Sequence, residues 1–203
     1  MDSVDYSKKS DYFLWKLFKN GDKQALSTIY YTYFEFLYNY GLSLYNSKAF
    51  IKDCIQELFF ELISKLSSLG ATDNIKLYLL VSLRRKVFEK LKKQGVYNFS
   101  DVEDPVYEKE SDFSPEEKII NDEEEEDIKK VLSSLMNGLP YREKEVLYLK
   151  FYQALSYKEI TEIMDINYES ARKLVYRALS SLRTKSKKTL KIKSKSKVSK
   201  QNY

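Results

Sequence analysis

Residues Leu139 to Arg183 read LPYREKEVLYLKFYQALSYKEITEIMDINYESARKLVYRALSSLR, and this stretch constrains the fold more than any other part of the chain. Ser156-Tyr157-Lys158-Glu159 is a capping box. The serine hydroxyl accepts from the amide three residues on, and the glutamate reaches back to the serine amide. A helix follows over Tyr157–Met164, with Ile160, Ile163 and Met164 on one side. Asp165-Ile166-Asn167 then makes a three-residue turn, and Asn167 is a good N-cap for a further helix. That helix places Ala171, Leu174, Val175, Ala178 and Leu182 on one stripe at three- and four-residue steps. Its opposite face begins at Tyr168 and shows Glu169, Lys173 and Tyr176, flanked by Ser170, Arg172 and Arg177. Two capped helices joined by a short turn, the second of them basic, have the layout of a helix-turn-helix, whose second helix lies in the DNA major groove. Residues near its N-terminus reach base edges, and basic residues further along hold phosphates. Those seven side chains are therefore the candidates for duplex contact.

Only at this point does a resemblance become specific. Leu139-Pro140, Arg142, Glu145, Leu155-Ser156-Tyr157-Lys158-Glu159-Ile160, Ile166-Asn167 and Arg177-Ala178 resemble region 4 of a bacterial RNA polymerase sigma factor of the small extracytoplasmic-function group. Arg172 and Lys173 fall at or near the basic positions of that pattern. Asp165 stands where the family has a turn glycine with a left-handed backbone, a conformation Asp tolerates less well. Leu174 replaces a frequent arginine.

Upstream motifs resemble region 2 of the same family. Asp53-Cys54-Ile55-Gln56-Glu57-Leu58-Phe59-Phe60 matches its Asp-x-x-Gln-Glu-x-Phe signature. Asn74-Ile75-Lys76-Leu77-Tyr78-Leu79, followed by Leu83-Arg84-Arg85, resembles its Ile-Arg-x-Tyr-Leu and Ala-Arg-Asn, with Arg85 for the usual asparagine and Glu89 for the usual aspartate. The resemblance implies that the first helix docks on the clamp helices of the large polymerase subunit, with Asp53, Gln56, Glu57 and Phe60 as contacts; these four share one helix side by spacing. It also implies that Asn74, Lys76, Tyr78, Arg84, Arg85, Glu89 and Lys92 face the downstream promoter element, and that the loop 67–74 traps a flipped base. Read alone, that loop suits either a pocket or an ordinary connector. Arg84 lies near the core stripe of its helix, and Asp53 is a candidate partner for it.

Charge is distributed unevenly. Residues 1–98 carry 15 basic and 10 acidic side chains, residues 99–127 carry 2 and 14, residues 128–183 carry 10 and 6, and residues 184–203 carry 8 lysines and no acid. Two basic blocks separated by an acidic tether suit two nucleic-acid-facing modules better than one compact enzyme. Glycine (5) and proline (3) are scarce, which favours helices. No apolar run approaches the roughly 18 residues of a membrane span. The polar, acidic N-terminus is unlike a secretory signal, so membrane insertion is not expected and the simplest location is cytoplasmic. The chain has no histidine, no glycine-rich phosphate loop and one cysteine, Cys54, in a helical pattern that suits a small buried residue. No catalytic group, cofactor or metal is expected; the acids at 123–127 fan around a helix and do not converge on one ion.

The first block reads as a three- or four-helix bundle. Phe18 to Asp22 makes a turn, and Asp22 caps a helix through Leu26, Ile29, Tyr30, Tyr33, Phe34 and Leu37. Further helices are expected over Ile51–Leu66 and from Asn74 or Ile75 to Lys93. The last of these has a core stripe of Leu77, Leu80, Val81, Val87 and Leu91, and a second face of Tyr78, Ser82, Arg85, Glu89 and Lys92. The segment around Pro105 and Pro115 has no sustained period and reads as extended. The lysine- and serine-rich tail reads as disordered, adding either non-specific DNA affinity or solubility.

The expected fold is therefore all-α, with two small helical domains on an acidic flexible linker: residues 11–96, the linker 97–127, a helix-turn-helix domain at 128–183 and a tail at 184–203. The expected function is a promoter-specificity subunit that binds core RNA polymerase and promoter DNA. The resemblance leaves room for an anti-sigma factor that covers both blocks. Three rivals predict different behaviour. A stand-alone helix-turn-helix regulator binds duplex without polymerase, an enzyme needs catalytic groups the chain lacks, and a decoy holds polymerase without giving transcripts.

Overall fold

The structure is a computed structural model that describes residues 6, 9–95, 135–136 and 138–199, with side chains as far as 187. The chain divides into two compact units, one of residues 1–100 with 162–164 and the other of residues 101–161 and 165–203. The described residues are helical, with no strand among them. The acidic linker at 97–127 lies outside them.

The first unit holds α1 (Asp11–Lys19), α2 (Lys23–Leu44), α3 (Lys48–Ser64) and α4 (Ile75–Lys93). Each helix begins at a side-chain cap. Ser10 accepts from the Phe13 amide at 3.4 Å and Ser47 from the Phe50 amide at 3.4 Å. The α1–α2 turn passes through Gly21 at φ +83°, and Asp22 Oδ1 then accepts from the Gln24 and Ala25 amides at 2.8 and 3.0 Å. Trp15, Ile29, Leu37, Tyr40, Ile51, Ile55, Leu79, Leu80 and Leu83 fill the core between the four helices; each fully buried Leu or Ile contributes about 1.5–3 kcal/mol. The α2–α3 crossing is seated on Gly41, where an added Cβ would stand 2.4 Å from Ile51 Cγ2.

Two boundaries and one stripe differ from expectation. Helix α3 starts at Lys48 because Ser47 caps it, and it ends at Ser64, before a 3-10 turn at Leu66–Ser68. The buried face of α4 is Ile75, Leu79, Leu80, Leu83, Lys86, Val87 and Leu91; Leu77 and Val81 are only half-buried. Residues 77–81 are all apolar or aromatic, so periodicity alone does not choose the buried face; Tyr78 packs on Trp15, and that fixes the rotation of the helix.

The second unit holds α5 (Tyr141–Leu147), a π-helical turn (Tyr148–Tyr152), α6 (Tyr157–Met164) and α7 (Tyr168–Ser199). Val146, Leu149, Leu155, Ile160, Ala171, Leu174, Val175 and Ala178 make its core. Helix α7 runs on past Arg183 to Ser199. The tail expected to be disordered is helical that far, and neither glycine nor proline interrupts it.

Candidate nucleic-acid interface

The turn between α6 and α7 is fixed from both sides. The Glu159 amide donates to Ser156 Oγ at 3.3 Å, and the Ser156 amide donates to Glu159 Oε2 at 2.8 Å, which closes the capping box. Asp165 takes the left-handed conformation at φ 53°, ψ 54°, the geometry its glycine-like position demands. The Ile166 amide then donates to the Thr161 carbonyl at 3.2 Å. Asn167 Oδ1 accepts from the Ser170 amide at 2.8 Å and caps α7.

With Ala171, Leu174, Val175 and Ala178 buried, the remaining face of α7 is presented outward. Tyr168, Glu169, Ser170, Arg172, Lys173, Tyr176 and Arg177 are all exposed, Tyr176 at 78%. The structure thus brings all seven expected duplex-contact residues to one helix. Tyr168 packs its ring edge-on against Tyr157 at 5.7 Å. Arg177 differs from its neighbours: it forms an ion pair with Glu143 on α5, Nε to Oε1 at 3.0 Å. Sequence reasoning missed Glu143, because the partners lie 34 positions apart on different helices and no local pattern links them.

In the first unit, Asp53, Gln56, Glu57 and Phe60 are exposed together on α3, while Cys54, Ile55, Leu58 and Phe59 face inward. Phe60 is 72% exposed, which excludes it from the core and leaves it available to a partner. Ile63, 46% exposed one turn on, extends that surface and was missed by the motif. Burial pushes the Cys54 thiol up to about 11, an unreactive state.

Two glutamates of α3 brace α4. Glu57 Oε1 accepts from Lys90 Nζ at 2.8 Å, and Glu61 pairs with Lys86, whose side chain is 10% exposed. Of the residues expected at the downstream element, Asn74 caps α4 by accepting from the Leu77 amide at 2.9 Å. Lys76 stands over the Phe36 ring at 4.6 Å. Tyr78 is half-buried, 4.9 Å from the Trp15 ring. Arg84 lies over the Phe88 ring at 4.8 Å. Arg85, Glu89 and Lys92 are exposed, and Glu89 pairs with Lys93 at 2.8 Å, which holds its carboxyl below the usual range.

Leu58, Glu61, Tyr78, Ser82, Arg85 and Glu89 line a groove of about 200 Å³ beside the α3–α4 loop. Trp15 Nε1 donates to the Gly70 carbonyl at 2.8 Å and pins that loop to the bundle. Among the described residues no group of three acidic, cysteine or histidine side chains could hold a metal. No helix there is long and apolar enough to cross a membrane.

Residues 129–182 match the family model for sigma-70, region 4. No curated protein matches the chain. Two solved structures share its fold. CnrH, solved in complex with the cytosolic domain of CnrY, superposes with a TM-score of 0.60 at 14% identity, covering 87% of this chain and 96% of its own. The sigma factor RpoE of Bartonella quintana, solved in complex with the anti-sigma factor NepR, superposes with a TM-score of 0.54 at 18% identity, covering 80% and 94%. The helix-turn-helix of this chain thus lies inside a sigma-70 region 4 match, within a helical fold that it shares with these two structures.

Proposed function

We propose that the chain is a sigma factor of the extracytoplasmic-function group, which binds core RNA polymerase and directs it to promoters. The observation that carries this reading is the outward basic face of α7, held by the capping box and the Asn167 cap inside the region 4 match. In this reading the unit at 11–96 docks on polymerase through Asp53, Gln56, Glu57 and Phe60. Its α4 meets the downstream element through Arg85, Glu89 and Lys92, with the groove beside the α3–α4 loop next to them. The acidic segment at 97–127 tethers it to the helix-turn-helix unit at 128–183, which reads the upstream element. The chain performs no covalent chemistry itself, and it works in the cytoplasm. An anti-sigma protein is a further partner in this reading, as NepR is for RpoE.

Core polymerase retention tests the proposal. The native chain is expected to hold purified core polymerase, and an Asp53→Ala/Gln56→Ala variant, altered only at exposed positions, is expected to lose it. Duplex binding by a folded chain that does not retain polymerase would replace this reading with a stand-alone regulator.

A further inference from the structure

Glu143 is out of place for a stabilising residue. It sits on α5 with its side chain 4% exposed, and burying a carboxylate is costly unless it is paired and hydrogen-bonded. Its Oε1 has one, Arg177 Nε at 3.0 Å, while Oε2 is buried with no hydrogen-bond partner among the described residues. An apolar residue would serve packing better than a half-satisfied acid. What this acid does is fix a guanidinium. The ion pair is closest at Nε, so the two terminal nitrogens of Arg177 remain at the outer end of a side chain that is 61% exposed. Lys173 lies one turn earlier on the same outward face, and neither Lys173 nor Arg172 makes an ion pair among the described residues. Among the described residues, Arg177 is therefore the one cation of that face that an acid on another helix holds. A loose arginine gives up rotamer freedom when it meets a phosphate; a held one has given it up already.

We propose that Glu143 is a positioning residue for DNA binding, holding Arg177 so that its outer nitrogens form a bidentate contact to a backbone phosphate. The inference rests on the promoter-binding reading of α7 and adds a residue outside the helix-turn-helix.

The test is a salt series of duplex binding by the full chain, read by anisotropy on a labelled mixed-sequence duplex. Charge alone predicts that Glu143→Gln, which removes an anion, tightens binding. Positioning predicts the opposite: affinity falls about tenfold and the slope of log K against log salt drops by about 0.9, one phosphate contact. Arg177→Ala is expected to match it, and Glu143→Gln/Arg177→Ala to lose no more than Arg177→Ala. Arg177→Lys keeps the charge at an exposed site and so spares the fold, but its single ammonium is taken by Glu143, and it too is expected to lose one contact. Native affinity and slope in Glu143→Gln or Arg177→Lys, or additive losses in the double variant, would overturn the proposal and leave the promoter reading standing. A native chain that binds no duplex would remove both.

Discussion

The two units use their basic side chains in opposite ways. On α4, Lys86 and Lys90 turn back onto α3, where Glu61 and Glu57 take them up; their side chains are only 10% and 21% exposed. On α7, Arg172 and Lys173 point outward with no ion pair among the described residues. Only Arg177 is held, and Glu143 holds it from a separate helix. Positive charge thus becomes a brace on one helix and stays presented outward on the other. The deciding factor is whether a neighbouring helix supplies a carboxylate within reach.

The comparison would weaken if the α3–α4 ion pairs, and not apolar packing, held the first unit together. Gly41→Ala separates the two. Its new methyl would meet Ile51, which is fully buried and branched at the point of contact. Overpacking of that kind is expected to cost about 2–3 kcal/mol, against about 0.5 kcal/mol for Lys90→Ala, since Glu57 is half exposed and screened. Trp15, the chain's single tryptophan, is buried in this unit, so its fluorescence during denaturant unfolding reads both variants. A larger loss in Lys90→Ala would reverse the assignment.

The outward face is sharpened by a matched pair on DNA. Lys173→Ala is expected to weaken duplex binding by about 1–2 kcal/mol, whether it reads a base or holds a phosphate. Lys90→Ala, whose ammonium is already engaged, is expected to leave duplex affinity near native. Equal losses in the two variants would show that the braced lysines of α4 are as available as those of α7.

This contrast also explains what the sequence reveals. Caps are local, so Asp22, Ser156 and Asn167 are legible from spacing alone, and with them the starts of α2, α6 and α7. An amphipathic stripe with small and polar neighbours is legible too, as at Ala171, Leu174, Val175 and Ala178. Residues 77–81 defeat the same reasoning, because a fully apolar run has no polar side to orient it, and the packing of Tyr78 on Trp15 decides. The Glu143–Arg177 and Glu61–Lys86 pairs join different helices, and no periodicity within one helix can show them. The exposure of Phe60 follows from its helical spacing to Asp53, Gln56 and Glu57 on one side of α3, whereas hydropathy alone would bury it.

The units differ again where the backbone turns left-handed. Among the described residues, the positive-φ positions are Gly21 and Gly95 in the first and Ala154 and Asp165 in the second. An L-residue there costs about 1–2 kcal/mol, and Asp is tolerated better than Ala because its short polar side chain bonds locally. Glycine removes that cost but returns about 0.5–1 kcal/mol through the freedom of the unfolded chain. Ala154→Gly is therefore expected to stabilise the second unit by about 0.5–1 kcal/mol, and Asp165→Gly by close to nothing. The two substitutions flank α6, so thermal unfolding followed by helical circular dichroism compares them on the same helix. If Asp165→Gly gained as much as Ala154→Gly, the aspartate would be as strained as the alanine. The helix-turn-helix would then keep its turn at a cost that the glycine-built first unit avoids.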